Sequence, residues 1–370
     1  MAINLPYSLL FEEAQTQGFP LCGIYQAPSG ALPMEDVQRL KEWQLAGYGG
    51  EMAYMARDAS ERCEATYHEP WAKTVISFAI PYSSHASALE VSTGYGKTGY
   101  SKTGYGRVAR YAWGRDYHRV LKKKLHLLGE TLKKALHSDF HWRAISDSFP
   151  LLERAYANRA KLGFVGKNTM LIRPKVGSYF FLAEVLTDLP VVDIPSFKIA
   201  GECGTCSRCI SACPTGAFES SYKLNAPKCI SYLTIEKRGV FTEWESAAVG
   251  SWLFGCDICQ EVCPFNHGSN KSNSLSVLDE FSPTNGVGSL IELNSIFSIR
   301  SDDEFKERFA GTPLMRPGRR GVVRNALSVA VNQNAKACIE PITEMLKCEE
   351  SEGVSKMAVV SLEKLKKSSF

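Results

Sequence analysis

Short apolar runs alternate with amphipathic stretches through the first half of the chain. Residues 75–80 and 179–186 have the length and apolar character of buried strands, whereas residues 34–46 and 117–136 repeat apolar positions at helical spacing. Strands that alternate with helices are typical of an α/β arrangement. The pattern therefore predicts an α/β domain in the N-terminal half.

The pattern becomes helical towards the C-terminal end. Three amphipathic segments with short polar breaks between them cover residues 321–331, 335–347 and 354–366. Paired helices of this kind are similar to a HEAT-type repeat, but one and a half repeats cannot bury a core by themselves. We therefore expect these helices to pack on the rest of the chain or on a partner.

Length and composition are those of a globular protein with several domains. The chain has 370 residues, more than one hydrophobic core usually fills, and its 44% hydrophobic and 22% charged residues exclude a disordered or fibrous protein. The apolar runs are too short to span a bilayer, and no basic leader is visible at the N-terminus. We expect a cytoplasmic monomer with no membrane partner.

Basic residues are concentrated in one stretch, although the formal net charge is only +4. Between Lys97 and Lys134 there are eleven Lys or Arg residues and two acids. A face of this charge attracts polyanions, and a solvated helical face is the alternative interpretation.

A Thr-Gly-Tyr unit is repeated three times at residues 93–107, and each copy ends on a basic residue. Aromatic and cationic side chains on a glycine-rich backbone suit stacking on bases and pairing with phosphates. A sequence duplication in a flexible loop explains the same repeat without any function.

Cysteine spacing is the strongest chemical signal. Eight of the twelve cysteines lie between Cys203 and Cys263. Their order is Cys203-x2-Cys206-x2-Cys209-x3-Cys213-Pro214, then Cys229, then Cys256-x2-Cys259-x3-Cys263-Pro264. In this pattern three closely spaced cysteines bind one iron–sulfur cluster, and the cysteine before proline binds the other cluster. The second run has Leu253 where its first cysteine is expected, and Cys229 is the spare thiol nearby.

These eight cysteines complete the ligands of two [4Fe–4S] clusters. The crossing pattern predicts Cys203, Cys206, Cys209 and Cys263 for one cluster, and Cys213, Cys229, Cys256 and Cys259 for the other. Zinc ribbons use two cysteines per knuckle, and disulfides need an oxidising compartment, so both alternatives are disfavoured. The scattered cysteines are predicted to be small apolar residues; they are Cys22, Cys63, Cys338 and Cys348.

Two irregular connections, residues 190–196 and 266–288, flank the cysteine-rich segment. They predict three units, which are the α/β domain over residues 1–195, a ferredoxin-like domain over residues 196–280 and a helical HEAT-like region over residues 281–370.

Several segments together resemble one family, the epoxyqueuosine reductases. Besides the eight cysteines, the resemblance rests on Arg110-Tyr-Ala-Trp-Gly-Arg-Asp-Tyr-His118, Arg159-Ala-Lys-Leu-Gly-Phe-Val-Gly-Lys-Asn-Thr-Met170, Gly177-Ser-Tyr179, Cys229-Ile-Ser-Tyr-Leu233 and Arg324-Asn-Ala-Leu327. Cluster motifs alone occur in many enzymes, but the order and spacing of these segments extend over nearly the whole chain.

The resemblance implies an oxidoreductase of tRNA modification. Enzymes of this family reduce epoxyqueuosine to queuosine at the wobble position of tRNA, the last step of queuosine biosynthesis, with two electrons, two protons and loss of water. The resemblance implies base-off cobalamin in the N-terminal domain, reduced by the two [4Fe–4S] clusters. The implied partners are a tRNA with a GUN anticodon that carries epoxyqueuosine and an external electron donor, either a reductase or a flavodoxin.

The resemblance also implies site residues. The proton donor of the family corresponds to Asp147, in Ile145-Ser-Asp-Ser-Phe-Pro150, where Ser148 and Phe149 depart from the family turn. Donation near neutral pH requires a raised pKa, which burial beside a corrin would supply; an ordinary turn aspartate is the alternative. The implied cobalamin contacts are Arg62, Asp147, Lys167, Asn168, Leu171, Leu182 and Ser231.

A common cobalt-ligand signature, Asp-x-His-x-x-Gly, is absent from the chain. His126 stands three residues before Gly129, but Lys124 occupies the position of the aspartate. Because His126 lies in an amphipathic stretch, we predict a surface helix residue.

Four arginines fall within nine residues at the start of the helical tail. Together with the basic stretch they would contact phosphates on both sides of an anticodon loop. The predicted tRNA-binding set is Lys237, Arg316, Arg319, Arg320 and Arg324.

Two other classes of protein use similar parts. A cobalamin and iron–sulfur reductive dehalogenase usually carries an export signal and lacks a basic helical tail. A non-catalytic electron-transfer or B12-handling protein would not need the Asp147 turn or surfaces suited to nucleic acid. The sequence therefore favours the tRNA enzyme.

Overall fold

The computed structural model describes residues 3–27, 30–82, 102–196, 199, 201–267 and 275–367. Numbered in chain order, the strands are β1 Leu5–Pro6, β2 Leu21–Gln26, β3 Thr74–Pro81, β4 Tyr105–Val108, β5 Trp142–Ile145, β6 Phe164–Val165, β7 Leu171–Ile172, β8 Phe180–Thr187, β9 Val191–Val192, β10 Phe218–Ser220, β11 Lys223–Leu224, β12 Trp252–Phe254 and β13 Leu290–Glu292. The first two copies of the Thr-Gly-Tyr repeat lie outside the described residues.

The α-helices, also numbered in chain order, are α1 Tyr7–Thr16, α2 Met34–Leu45, α3 Ala59–Cys63, α4 Tyr117–Leu136, α5 Glu153–Arg159, α6 Arg208–Ala212, α7 Ile230–Ile235, α8 Glu243–Ala248, α9 Ile258–Glu261, α10 Leu293–Phe297, α11 Asp302–Phe309, α12 Gly318–Asn332, α13 Ile339–Leu346 and α14 Glu352–Lys367. Among the described residues, none of these helices has both the length and the apolar character required to cross a membrane.

A four-stranded sheet in the order β2-β3-β8-β5 forms the centre of the N-terminal half. Ile76, Phe78 and Ile80 of β3 share a core with α1 and α4, whereas Val75 and Ala79 face the side covered by α2, α3 and α5. Alternate residues point to opposite faces of a strand, so a sheet covered on both faces needs a continuous apolar run. This explains why both predicted strands are mostly apolar, with Ser77 and Glu184 as polar exceptions, and both predictions are confirmed.

The sheet is antiparallel at every pairing, which corrects the expectation of an α/β arrangement. Burial on both faces gives an apolar run in either strand direction, so composition could not distinguish the two arrangements. The predicted helices at 34–46 and 117–136 are confirmed within one residue.

A second sheet, in the order β12-β4-β13, joins segments that are distant in sequence. Strand β4 pairs in parallel with β12 and antiparallel with β13. The sheet thus takes one strand from each of the three units predicted by the sequence. The three predicted units stay a prediction. The backbone hydrogen bonds of this sheet connect residues on either side of both predicted boundaries, near residues 195 and 280.

The helical tail packs on this second sheet. Val322 and Leu327 of α12 belong to the same buried core as Leu253 and Phe254 of β12, and α13 and α14 add Ile342 and others to it. The three predicted helices are confirmed, and the rest of the chain supplies the surface that they need.

Arg324 fastens α12 to the loop that follows α7. Its buried guanidinium group donates hydrogen bonds to the carbonyl oxygens of Leu233, Lys237 and Gly239, and it lies 3.9 Å from the centroid of the Phe241 ring. Without Arg324 these carbonyl oxygens would lose their hydrogen-bond donor, so the role of this arginine is structural.

Replacing Arg324 by Leu is expected to lower the free energy of unfolding by about 2–4 kcal/mol, since three carbonyl oxygens, of which that of Leu233 is buried, lose their donor. Differential scanning fluorimetry under anaerobic conditions should show a melting temperature several degrees lower. The control is Arg320→Leu, an exposed position on the same helix. Equal melting temperatures for the two variants would contradict this role.

Candidate functional site

Parallel pairing of β4 and β12 brings the segment 110–118 and the cysteine motif that begins at Cys256 close together. Ala109 N donates to Phe254 O at 2.8 Å, and Arg110 N donates to the Asp257 carboxylate at 2.7 Å. In parallel strands the carboxyl ends lie at the same edge of the sheet. The segment 110–118, which follows β4, and Cys256, which follows β12, therefore leave this edge side by side.

Gly255 permits this close approach. Its φ is +68°, and a Cβ at this position would stand 2.5 Å from the Cβ of Ala109. Another residue would meet both backbone strain and a steric clash, so the turn into Cys256 requires glycine.

One predicted set of cysteines lines a cavity of about 210 Å³. Cys203, Cys206, Cys209 and Cys263 all border it, together with the backbone turn at Pro264 and Phe265. All twelve cysteines are free thiols. Sequence spacing had predicted these four as a set, and the fold brings them to a common space that suits one cluster.

The other predicted set is also close together, and it is more deeply enclosed. Burial raises the pKa of the Cys229, Cys256 and Cys259 thiols, and the neighbouring thiols raise them further, with Cys213 acting on both Cys229 and Cys259. Thiols in such surroundings ionise only beside positive charge, which iron would supply. The donor set therefore fits a metal cluster.

No group of three or more His, Cys, Asp or Glu side chains converges on a single metal ion within the described ranges. In a four-iron cluster, however, the four cysteines bind as a set to different iron atoms.

Lys167 and Asn168 connect the sheet domain to the cysteine loops. Lys167 Nζ donates to Gly204 O at 2.7 Å and to Cys206 O at 2.9 Å, and Asn168 Nδ2 donates to Cys259 O at 3.4 Å. These two residues thus contact both cysteine sets. Their predicted contact with cobalamin stays a prediction.

Asp147 lies at the centre of a hydrogen-bonded group. Its Oδ2 accepts from Tyr117 Oη at 2.7 Å and is 3.2 Å from His118 Nε2, while His118 Nδ1 is 2.6 Å from Asp116 Oδ1. Asp116 is also the N-cap of α4 and accepts from His118 N. The start of one helix therefore orients His118 towards Asp147. The Asp147 side chain is 62% exposed, so substrate can reach it.

The ionisation of Asp147 differs from the expectation. Partial burial tends to raise the pKa of Asp147, but hydrogen bonds from His118 and Tyr117 outweigh that effect and hold the pKa below its usual value. The raised pKa expected beside a bound corrin stays a prediction, because the low pKa described here is that of the protein alone. Burial likewise tends to lower the pKa of His118, yet hydrogen bonds to Asp116 and Asp147 raise it to about 9. At neutral pH the proton is on His118.

Tyr111 lies between the hydrogen-bonded group around Asp147 and the second cysteine set, which consists of Cys213, Cys229, Cys256 and Cys259. Its ring centroid is 6.3 Å from that of Tyr117, and its Cε1 is 3.4 Å from the position that a Cβ on Gly255 would take. Burial raises the pKa of Tyr111, and the carboxylates of Asp147 and Asp257 raise it further. The phenols of Tyr117 and Tyr111 therefore lie between the Asp147 carboxylate and the Cys256 loop.

Arg62 is buried and lies on the same side of the molecule as Asp147. Its Nη2 donates to Tyr54 O at 2.9 Å, and its Nε has no hydrogen-bond partner among the described residues. An unsatisfied buried donor fits a polar group of a bound cofactor.

The other predicted cofactor contacts are not alike. Leu182 and Ser231 are half-buried, whereas Leu171 is buried in a core with Leu162 and Phe180. His126 is exposed on α4, which confirms the prediction of a surface helix residue.

The predicted tRNA-binding residues fall into two groups. Arg316 and Arg320 are exposed, and Arg316 lies 5.6 Å from the centroid of the Tyr54 ring while it pairs with Glu236. Lys237 is partly exposed and pairs with Glu51.

Arg319 and Arg324 correct the prediction for their positions. Arg319 is buried against Glu349 at 2.6 Å, and Arg324 is buried against the loop after α7. Neither guanidinium group faces solvent, because α12 is packed against other parts of the chain along most of its length. We therefore revise the set to the exposed members.

The sequence argument missed Tyr54, Tyr117, His118 and Arg238 as site residues. Tyr117 and His118 belong to the segment quoted for the family resemblance, and an Asp-x-His sequence before an amphipathic helix could have indicated a capped histidine. Arg238 is exposed and donates to the carbonyl oxygens of Arg316 and Pro317 at 3.4–3.5 Å. No sequence signal separates it from an ordinary surface arginine.

Comparison with known proteins gives consistent matches. Residues 202–266 match the family model of a 4Fe-4S double cluster binding domain, and residues 62–148 match the model described as Epoxyqueuosine reductase QueG, DUF1730. The chain is 38% identical over 330 residues to the epoxyqueuosine reductase of Pseudomonas aeruginosa, which covers 89% of this chain and 85% of that protein.

Two solved structures are similar over almost all of the chain. One is an epoxyqueuosine reductase from Bacillus subtilis with its catalytic aspartate loop swung out of the active site, with a TM-score of 0.80, 30% identity and coverage of 97% of this chain and 90% of that chain. The other is an epoxyqueuosine reductase with a tRNA-Tyr epoxyqueuosine-modified stem loop, with a TM-score of 0.76, 28% identity and coverage of 97% and 98%.

The histidine assignment can be tested on protein without cofactors. Nuclear magnetic resonance titration of labelled histidines should give a pKa of about 9 for His118. Asp116→Asn removes one of the two stabilising carboxylates, so the pKa of His118 should fall towards that of an ordinary histidine. The resonance is identified by its loss in His118→Gln. An ordinary pKa in the unmodified chain would contradict the assignment.

Proposed function

From the premise that this chain belongs to the epoxyqueuosine reductase family, we propose that it removes the epoxide oxygen of epoxyqueuosine in a tRNA anticodon and leaves queuosine. The reaction consumes two electrons and two protons and releases water. The observation that carries the proposal is the position of Tyr111, with a proton-bearing group on one side and a cysteine loop of the double-cluster domain on the other. Electrons and protons can then reach one substrate from adjacent sources.

Two sets of cysteine ligands are proposed, as the spacing predicts. Cys203, Cys206, Cys209 and Cys263 would bind one [4Fe–4S] cluster, and the shared cavity of about 210 Å³ supports this set. The other set is Cys213, Cys229, Cys256 and Cys259, supported by the mutual effects of these thiols on their pKa values. Because Cys256 is next to Gly255 and Tyr111, the second set would be nearer to the substrate.

Cobalamin is proposed as the third cofactor. When bound, it supplies low-potential cobalt that delivers electrons to the substrate. Arg62, with its unpartnered Nε, would hold a carboxamide or phosphate group, and Leu182 and Ser231 would contact the corrin ring. Lys167 and Asn168 would act from the cluster side, since both already contact cysteine loops.

Asp147 is proposed to transfer a proton to the leaving oxygen. The carboxylate is held ready by Tyr117 and His118, and His118 carries the proton at neutral pH. A proton passes from His118 Nε2 to Asp147 Oδ2 and then to the oxygen, because an alkoxide without a proton is a poor leaving group. The acid is therefore the pair of residues rather than Asp147 alone.

The tRNA would lie across the start of α12 and the loop after α7. Arg316 and Arg320 are exposed there. Arg238 donates to the carbonyl oxygen of Arg316, and Lys237 pairs with Glu51. Arg316 also contacts Tyr54 and raises the positive potential near Asp147. A phosphate contact at Arg316 would thus position the modified nucleoside towards the carboxylate.

Asp147→Asn is expected to lower the turnover rate about 10²–10⁴-fold, since amide cannot carry the proton. The assay uses protein reconstituted anaerobically with iron, sulfide and cobalamin, and tRNA that bears the epoxide nucleoside. Iron, sulfide and corrin contents should equal those of the unmodified protein. Asp139→Asn, a 95% exposed aspartate, is the control and should be fully active.

Normal turnover by Asp147→Asn would refute the acid assignment. Absence of turnover by the unmodified, fully loaded protein would refute the proposed function itself.

Arg320→Ala is expected to weaken tRNA binding and to reduce the slope of log affinity against log salt by about one, because one phosphate contact is lost. Fluorescence anisotropy of a labelled stem loop at several salt concentrations measures both. Lys356→Ala, another exposed cation outside the set, should leave the slope unchanged. If both variants behave alike, α12 does not contact the phosphates.

A further inference from the structure

Two glutamates behind Asp147 have no role in the chemistry described above. Glu184 lies in the middle of β8 and is completely buried, opposite Ser77 of β3 and Ile145 of β5. Glu153 is the first residue of α5, and its carboxyl group accepts a hydrogen bond from Asp147 N. Both carboxyl groups therefore lie directly behind the turn that carries Asp147.

The surroundings of Glu184 do not suit a carboxylate. Its polar neighbours are the carboxyl group of Glu153 and the hydroxyl group of Ser77, and neither of its oxygens accepts a hydrogen bond from an N–H group among the described residues. A buried carboxylate without donors costs several kcal/mol, so such a group keeps its proton. Burial, followed by the charge of Glu153, raises the pKa of Glu184 well above its usual value.

Glu153 is less extreme. Burial and the negative charge of Asp147 raise its pKa, whereas the hydrogen bond from Asp147 N, the charge of His118 and a hydrogen bond with Glu184 lower it again. Arg154 on the same helix lies close to both Asp147 and Glu153, and it donates to Thr169 O at 2.6 Å. These groups stabilise a Glu153 carboxylate once it forms. Glu184 lacks such a set of stabilising neighbours.

We propose that Glu153 stores the second proton of the reaction and passes it to Asp147, while Glu184 stays protonated and stabilises the resulting Glu153 carboxylate. The proposal rests on the proposed function, because only a two-proton reduction needs a second store. The O–H bond of Glu153 breaks and an O–H bond forms on the Asp147 carboxylate. The negative charge moves from Asp147 to Glu153, and no electron is transferred in this step.

The pair explains how the site could complete both protonations in one closed complex. His118 can give one proton and then becomes neutral. The carboxyl group of Glu153 lies against the backbone N–H of Asp147, so a second proton is held beside the same residue and need not enter from solvent past a bound tRNA. Glu184 is a positioning residue in this scheme, since it acts only through Glu153.

Infrared spectroscopy of the cofactor-free protein tests the protonation directly. At neutral pH we expect two carbonyl bands of protonated glutamic acids, and Glu153→Gln and Glu184→Gln should each remove one. At alkaline pH the Glu153 band should disappear first. Carbon-13 labelling of glutamate shifts both bands in the unmodified chain, which separates them from Asp257, whose buried carboxyl group has a pKa of about 7. Absence of labelled bands at neutral pH would overturn the proposal without any variant.

Turnover supplies the second test. In reconstituted protein, Glu153→Gln should lower the rate of multiple turnover roughly 10–100-fold. Glu184→Leu should shift the pH profile, because the Glu153 carboxylate then loses a donor that the amide of a glutamine would still supply. Glu363→Gln, an exposed glutamate, is the matched control. Equal rates and pH profiles for all three variants would refute the proton store. If the unmodified protein fails to turn over, the proposed function fails, whereas the infrared result still decides the protonation.

Discussion

The parallel pairing of β4 with β12 is the constraint on which the site depends. One strand leads into the segment 110–118, and the other leads into Cys256. Because parallel strands end at the same edge of a sheet, the cysteine loop and the proton-bearing residues meet there, although about 140 residues separate them in sequence. Gly255 and Ala109 fit together at this edge only because glycine has no side chain. The tail helices pack on β12, so the C-terminal region is held on the same sheet.

Electrostatics at the site follow from which groups share a small space. Asp147 is surrounded by one imidazolium, one phenol and two glutamic acids, and hydrogen bonds decide which of them carries a proton. Although burial acts in the opposite direction on each group, hydrogen bonds hold the pKa of Asp147 below its usual value and raise the pKa of His118. The pKa of Asp257, beside Cys256, likewise depends on its surroundings: burial raises it, and the hydrogen bond from Arg110 N lowers it.

The basic residues illustrate how one residue type acquires different roles. Arg316 and Arg320 remain in solvent, whereas Arg319 and Arg324 of α12 satisfy buried acceptors. The spacing of the four arginines would place them on one side of an exposed helix, but α12 is buried along most of its length and takes two of them into the interior. The positive surface is consequently smaller than the sequence suggests, and Arg238 from another loop completes it.

The sequence alone determined the parts whose physics is local. Cysteine spacing predicted two cluster-binding sets, apolar runs predicted β3 and β8, and helical periodicity predicted α4 and the three tail helices, because each depends on residues close together in the chain. The family resemblance, now confirmed, pointed to Asp147, whose role as proton donor stays a prediction. Only the tertiary structure decided the antiparallel strand directions, the burial of Arg319 and Arg324, the ionisation of Asp147 and the position of Glu184 behind it. These properties depend on desolvation and on partners contributed by distant segments, and no spacing along the chain encodes which distant segment arrives.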